Sequence, residues 1–140
     1  MQKYEFLEHT ADAKFRAYGK TLEEAFINAA LATTTIMCEV SEVKPKIEKK
    51  LNITAKKKES LLFDFLQQLV ILLDTEGFLL GAVKSITISK NKEVYSLHAV
   101  ILGDSADHYE IHTAIKAVTY NDMFIKEEQG LITIQVVHDL

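Results

Sequence analysis

The sequence is poor in the residue types that usually punctuate or cross-link a chain. Its 140 residues include five Gly, one Pro, one Cys and no Trp. The single cysteine, Cys38, cannot form an internal disulfide, which argues against a disulfide-stabilised secreted scaffold. Because there is no low-complexity stretch and little Gly or Pro, a flexible linker or disordered arm is excluded. With 48% hydrophobic residues, we expect a single domain, residues 1–140, with a substantial core.

Charge and hydropathy exclude further classes of protein. The chain has 16 basic and 20 acidic residues, a net charge of −4, which argues against nonspecific binding of nucleic acid over its whole surface. No apolar run reaches the roughly 20 residues of a membrane span, and no charged-then-apolar leader precedes Tyr4. We therefore expect a cytoplasmic protein with no membrane partner.

Lysines are concentrated in one segment of the chain. They are Lys44, Lys46, Lys49, Lys50, Lys56, Lys57 and Lys58. The simplest interpretation is a solvated strand edge that its lysines protect from aggregation. An RNA-binding patch and a docking surface for an acidic protein are the alternatives.

Hydrophobic periodicity predicts two helices. Thr21 and Glu24 form a capping box ahead of apolar residues at helical spacing as far as about Met37. Ser60 is a good N-cap residue for a second, largely apolar helix that ends near Gly77.

The remaining segments are typical of β-strands. Strands are predicted at Tyr4–Leu7, Lys14–Tyr18, Lys46–Ala55, Val83–Ser89, Glu93–Leu102, Ile115–Tyr120, Met123–Lys126 and Leu131–Val137. This order indicates an α+β fold, a two-layer domain with two helices packed on a mostly antiparallel or mixed sheet.

The two ends of the sequence resemble halves of one site. Asp12 lies near the beginning, and Asp139 precedes the final residue, Leu140. If the fold brings the ends together, both carboxylates and the Leu140 α-carboxylate can share one site, where their mutual repulsion favours a hard cation. Oxygen ligands suit calcium, magnesium or manganese better than zinc.

Other polar residues allow weaker hypotheses. His108 and His112, interleaved with acids, would suggest a metal-dependent hydrolase if they lay on a helix, but the segment lacks helical periodicity and solvated polar residues are the simpler interpretation. His9 stands in the connection beside Asp12, where it either faces a site or belongs to a turn held by Thr10 and Asp12. Lys116 is a cation in a predicted apolar strand. It lies either at the edge of the sheet, with its aliphatic stem along the apolar surface, or at a functional site.

No phosphate-binding loop, dinucleotide fingerprint or nucleophile elbow occurs in the sequence. We therefore expect no nucleotide bound by this chain itself and no catalytic apparatus.

Several motifs, in this order, resemble the archease family. They are Glu8-His9-Thr10-Ala11-Asp12, Tyr18-Gly19 with the following Glu24-Ala25-Phe26 and Ala29-Ala30 helix, the Leu61–Leu73 helix, Lys116-Ala117-Val118-Thr119-Tyr120 and the Asp139-Leu140 terminus. The resemblance extends over the whole chain.

The resemblance implies a non-catalytic accessory protein of the RtcB-type RNA ligase, a GTP- and manganese-dependent enzyme of tRNA splicing and repair. Archeases promote guanylylation of the ligase and its multiple turnover. The family's metal ligands match Asp12, Asp139 and Leu140, and its functionally important lysine matches Lys116. With Lys116, His9 is a candidate for ligase contact, whereas contact with RNA is expected to be indirect or weak.

One position departs from the family pattern: Asn121 stands where many relatives carry His. The resemblance therefore implies no role for a ring nitrogen at this position. Two further hypotheses stay open, a chaperone or general protein- and RNA-binding adaptor with an incidental metal, and the metal-dependent hydrolase. The sequence also leaves open whether the chain is a monomer or a small homo-oligomer.

Overall fold

The computed structural model describes residues 2–8 and 12–140, and it has the α+β architecture predicted from the sequence. The helices are α1 (Leu22–Met37) and α2 (Lys58–Glu76). The strands are β1 (Tyr4–Leu7), β2 (Asp12–Gly19), β3 (Ile47–Ala55), β4 (Phe78–Asn91), β5 (Val94–Ser105), β6 (Ala117–Val118), β7 (Phe124–Glu128) and β8 (Leu131–Asp139).

The strands form two sheets rather than the single sheet that the sequence pattern indicated. The larger sheet has the order β1-β2-β8-β6, with β7 also pairing with β8, and the smaller sheet has the order β3-β5-β4. Every ladder between the described strands is antiparallel. The division follows from long-range pairing, because β8 returns to β2 while β3 joins the β4–β5 hairpin.

Helix α1 begins as predicted. Thr21 Oγ1 accepts the Glu24 backbone N–H at 3.1 Å, and a Glu24 carboxylate oxygen accepts the Lys20 N–H at 3.0 Å, so both ends of the capping box are made. The helix packs against β2 and β8 of the larger sheet and against β4 of the smaller one. Phe26 stacks on Phe65 of α2 with ring centroids 5.9 Å apart, and burial of such side chains contributes about 1.5–3 kcal/mol each.

Helix α2 begins two residues before the predicted cap at Ser60. Lys57 is the N-cap residue, and its backbone oxygen accepts the Leu61 N–H at 3.0 Å. No side chain caps the helix there, and its first turns are held to the core by the fully buried Leu61 and Leu62. The predicted end is confirmed, since Gly77 has a left-handed φ of 66°, and Phe78 then begins β4 directly.

Among the described residues, neither helix has the length and continuous apolar character needed to cross a membrane.

The β2–β8 ladder positions the two ends of the chain. Phe15 and Val136 are opposite each other and fully buried on the face toward α1. On the other face, Arg16 Nε donates to Gln135 Oε1 at 2.9 Å. Side chains therefore alternate between the core and an outer face along both strands.

Candidate metal centre

The first residue of β2 lies directly opposite the last residue of β8. These residues are Asp12 and Asp139. Directly opposed side chains in an antiparallel pair have Cβ atoms about 4.5–5.5 Å apart and point to the same face. By strand alternation that face is the outer one, which Arg16 and Gln135 also occupy. The fold thus brings the two acidic ends of the sequence together.

Two further predicted residues lie at the same place. Leu140 follows Asp139, and its half-buried side chain packs against the hydrophobic core. Lys116 donates its backbone N–H to the backbone carbonyl oxygen of Asp139 at 2.8 Å. The next residue, Ala117, pairs with Asp139 in the β6–β8 ladder. We call Asp12, Asp139, Leu140 and Lys116 the strand-end site. His9, the fifth predicted residue, lies outside the described residues.

Acidic groups dominate this end of the sheet. Like charges directly opposite each other on a sheet are destabilising. On the same face of β2, Lys14 is two residues from Asp12 and is paired with Asp122 at 3.5 Å. A bound cation would relieve the repulsion between the two carboxylates.

The donor chemistry of the strand-end site fits a hard cation. Among residues 2–8 and 12–140, no group of three His, Cys, Asp or Glu side chains is arranged to hold a metal. A metal between Asp12 and Asp139 would therefore require another oxygen ligand, which the Leu140 α-carboxylate can supply. Such an oxygen-only set suits calcium, magnesium or manganese.

A buried histidine beside the strand-end site was missed by the sequence analysis. His138 is fully buried, and burial lowers its pKa to about 4, so the ring is neutral at pH 7. Thr33 donates its hydroxyl to the Ala29 oxygen at 2.9 Å, so His138 Nε2, 3.0 Å from the Thr33 oxygen, carries the proton. Its Nδ1 has no hydrogen-bond partner in the described part of the chain.

The position of His138 could have been found from the strand pattern. It continues the alternation of Ile132, Ile134 and Val136, all of which are buried. Contact of His138 with α1 through Thr33 fixes the end of β8 from which Asp139 and Leu140 project.

His108, one of the two histidines of the hydrolase hypothesis, belongs to a hydrogen-bonded network around Asp104. Asp104 is only 3% exposed and accepts from Tyr109 Oη at 2.8 Å, His108 Nδ1 at 3.2 Å and the Ser105 N–H at 2.8 Å. The Tyr109 hydroxyl, followed by the other donors, lowers the pKa of Asp104 to about 2. We call Asp104, Ser105, His108 and Tyr109 the Asp104 network.

The local backbone also disfavours a metal pair at His108 and His112. A three-residue 3₁₀ turn ends at His108, and no helix includes the residues that follow it. His112 is instead held by its backbone N–H, which donates to the Met37 oxygen at 2.8 Å. The expectation of simple solvated polar residues fits the two exposed histidines but not the buried Asp104.

Asn121, the departure from the resemblance, lies in an exposed turn. Its backbone N–H donates to Thr119 Oγ1 at 3.3 Å. Thr119 in turn donates its hydroxyl to the Val137 oxygen at 2.8 Å. These contacts anchor the segment after Lys116 to β8 without using the Asn121 side chain.

Known proteins match this chain over almost its whole length. Residues 4–140 match the model of the Archease protein family. A protein archease from Thermococcus kodakarensis is 39% identical, with complete coverage of both chains. One from Methanosarcina mazei is 37% identical over 99% of this chain and 97% of its own.

Solved structures show the same fold. The solution structure of a Methanobacterium thermoautotrophicum protein matches with a TM-score of 0.86 and 37% identity, covering all of both chains. The crystal structure of an archease, possible chaperone, from Thermotoga maritima matches with a TM-score of 0.58 and 21% identity over 96% of this chain and 94% of its own. At that identity the second match concerns the fold alone.

Proposed function

Because this chain belongs to the archease family, we propose that it is a cytoplasmic accessory protein of an RtcB-type RNA ligase. That ligase joins RNA 3′-phosphate or 2′,3′-cyclic phosphate ends to 5′-hydroxyls, using GTP and manganese. The accessory protein promotes guanylylation of the ligase and its multiple turnover in tRNA splicing, and does not itself catalyse ligation.

The direct opposition of Asp12 and Asp139 is the observation that carries the proposal. Together with the Leu140 α-carboxylate, these side chains would hold a divalent ion, calcium, manganese or magnesium. Such an ion supplies charge neutralisation of the kind that phosphoryl transfer requires. His138 and the core packing of Leu140 keep this end of the chain in place, so the ligands are preorganised.

Lys116 provides the positive group of the strand-end site. Its side chain is exposed, while its backbone is fixed by the hydrogen bond to Asp139. The exposed ammonium group of Lys116 would contact the ligase, its nucleotide or a phosphate. His9 precedes Asp12 by three residues, and contact between His9 and the ligase stays a prediction.

A ligation assay with limiting RtcB-type ligase, GTP and manganese tests the proposal. We expect this protein to increase both the ligase–GMP adduct formed and the number of turnovers, and to show no ligation when the ligase is omitted. Asp12→Asn and Asp139→Asn keep side-chain size and remove one charge each. Because even outer-shell changes cost about 10- to 100-fold in metal affinity, each variant should lose the stimulation.

Asp74→Asn is the matched control, since Asp74 is an exposed acid on α2. It should stimulate the ligase like the unmodified protein, and circular dichroism should show the same fold for all three variants. Full stimulation by both Asp12→Asn and Asp139→Asn would refute the proposal. A general chaperone or adaptor predicts the opposite sensitivity, with stimulation lost when Lys56, Lys57 and Lys58 are changed and retained in Asp139→Asn.

A further inference from the structure

The lysine-rich segment is divided by the fold into parts with different surroundings. Lys49 pairs with Glu76 at 2.6 Å on the edge strand β3, as expected for strand-edge lysines. Lys56, Lys57 and Lys58 lie beyond the last residue of β3, so they do not protect its backbone edge. They line a surface groove of about 420 Å³ together with Lys90, Glu59, Glu93 and Tyr95. We call this the lysine groove.

The lysine groove is basic in a chain that is acidic as a whole. Its four lysines are exposed, and none has an ion-pair partner within residues 2–8 and 12–140. Against its two glutamates the groove has a net charge of +2, whereas the chain has −4. Ammonium groups that line one groove without acidic partners repel one another, and a bound polyanion would relieve that repulsion.

Backbone groups add to the positive potential. Lys57 is the N-cap residue of the 19-residue α2, and no side chain caps the helix there. The N–H groups of the first turn are therefore directed to the same end of the helix as the lysines, where they favour an anion.

An exposed aromatic stack lies one turn of α2 beyond the lysine groove. Tyr120 is 53% exposed, and its ring lies parallel to that of Phe63, with a 4.2 Å centroid distance and a 7° interplanar angle. Phe63 is four residues after Glu59, which lines the groove, so the two positions are on the same helix face about 6 Å apart.

The stack also leads to the strand-end site. Gln67 Oε1, one turn further along α2, accepts the Val118 N–H at 3.3 Å. The segment from Lys116 to Tyr120 therefore runs beside α2, from the acidic residues toward the lysines. Lysines that bind phosphates, next to a ring on which a base can stack, are typical of single-strand binding surfaces. An acidic peptide would use the lysines but would not require the aromatic face.

We propose that the lysine groove and the Phe63–Tyr120 stack form a direct binding surface for single-stranded RNA. The groove chemistry does not depend on the strand-end site. The choice of RNA over DNA rests on the proposed function with an RNA ligase. The proposal goes beyond the sequence expectation of indirect or weak RNA contact, because the lysines converge on one groove beside an exposed ring.

Fluorescence anisotropy with a labelled oligouridylate 12-mer tests the proposal on the isolated protein, so its result is independent of ligase stimulation. We expect saturable binding that weakens as salt rises. The combined change Lys56→Gln, Lys57→Gln and Lys58→Gln should weaken binding and make the slope of log affinity against log salt shallower by about 2, because each phosphate contact in a single strand contributes about 0.7.

The Tyr120→Leu variant distinguishes the contribution of base stacking to RNA affinity from the contribution of the lysine charges. It should lower affinity about 5- to 150-fold, the range typical of one lost base–aromatic stack, without changing the salt slope. The charge-matched control replaces three exposed lysines outside the groove, Lys3, Lys20 and Lys50, by Gln, and it should bind like the unmodified protein.

Four outcomes would overturn the proposal. They are no binding at about 50 mM salt, equal losses in the groove variant and the charge-matched control, tighter binding of oligodeoxythymidylate than of the RNA, and displacement of the RNA by an aspartate-rich 12-mer at equal concentration. The last outcome would identify the groove as a docking surface for an acidic protein.

Discussion

The strand-end site and the Asp104 network both contain acidic groups, but their charges have different surroundings. In the network, one buried carboxylate accepts hydrogen bonds from a hydroxyl, a ring nitrogen and a backbone N–H. In the strand-end site, two carboxylates are placed directly opposite each other across a ladder. The carboxylate with three protein donors has its pKa lowered to about 2.

The difference teaches how to separate structural from functional acids in this fold. A carboxylate that protein donors satisfy stabilises the segment around it and has little need for an external ligand. Like charges placed opposite each other destabilise a sheet, and a cation bound between them would offset that repulsion. Substitutions in the two regions should therefore have opposite effects on stability and on ion binding.

The largest expected difference is in stabilisation by divalent ions. At a free ion concentration of about 100 times Kd, a ligand that binds only the folded state stabilises by about 2.7 kcal/mol, which raises Tm by several degrees. Thermal unfolding with and without calcium or manganese should show this shift in the unmodified protein and in Asp104→Asn. Asp139→Asn should lose it.

Deletion of Leu140 is a second test of whether divalent ions bind at the strand-end site. It moves the α-carboxylate one residue back and removes the side chain that packs on the core, so the ion-dependent shift should also decrease. An undiminished shift in both Asp139→Asn and the Leu140 deletion would show that divalent ions bind elsewhere.

The parts of the fold that depend on local patterns were predictable from the sequence. The capping box at Thr21 and Glu24 determines one helix start, and the alternation of β8 placed Asp139 on the outer face. The start of α2 at Lys58 was not predictable from capping, because no side chain caps the helix there. The division into two sheets depends on pairing between distant strands, which single-strand patterns do not encode.

The strand-end site could be predicted from the sequence to a larger extent than the Asp104 network. The proposed metal ligands were predicted through the resemblance at both ends of the chain, and the structure adds the register that places Asp12 opposite Asp139. The Asp104 network requires Tyr109 to turn back toward β5, and its hydroxyl also accepts the Lys44 N–H at 2.8 Å. No periodicity indicates such a contact, so Asp104 appeared to be only one of several polar residues near His108.

A smaller difference is expected in the acid limb of the stability curve. The folded-state pKa of Asp104 is about 2, below the ordinary value of 3.8. Between these values the unfolded chain binds more protons than the folded one, so stability falls as pH decreases from about 4 to about 2. Asp104→Asn should be less stable than the unmodified protein at pH 5, and the difference should shrink toward pH 2.

Denaturant unfolding at pH 5, 4, 3 and 2 measures this effect. Asp107→Asn is the control, because Asp107 is exposed in the same turn, and its stability should follow that of the unmodified protein at each pH. A constant difference between Asp104→Asn and the unmodified protein would contradict the assignment of the acid-sensitive contribution to Asp104.

The smallest effect is expected at His108, the most exposed donor of the Asp104 network. Its side chain is 59% exposed, and Asp104 keeps its Tyr109 and Ser105 donors when the ring is replaced, so His108→Asn should lower Tm only slightly and leave the divalent-ion shift unchanged. Thermal unfolding with and without the ion measures both quantities. If the shift disappears in His108→Asn and persists in Asp139→Asn, the ion binds beside the Asp104 network, and the histidine-containing segment rather than the paired strand ends is the metal centre.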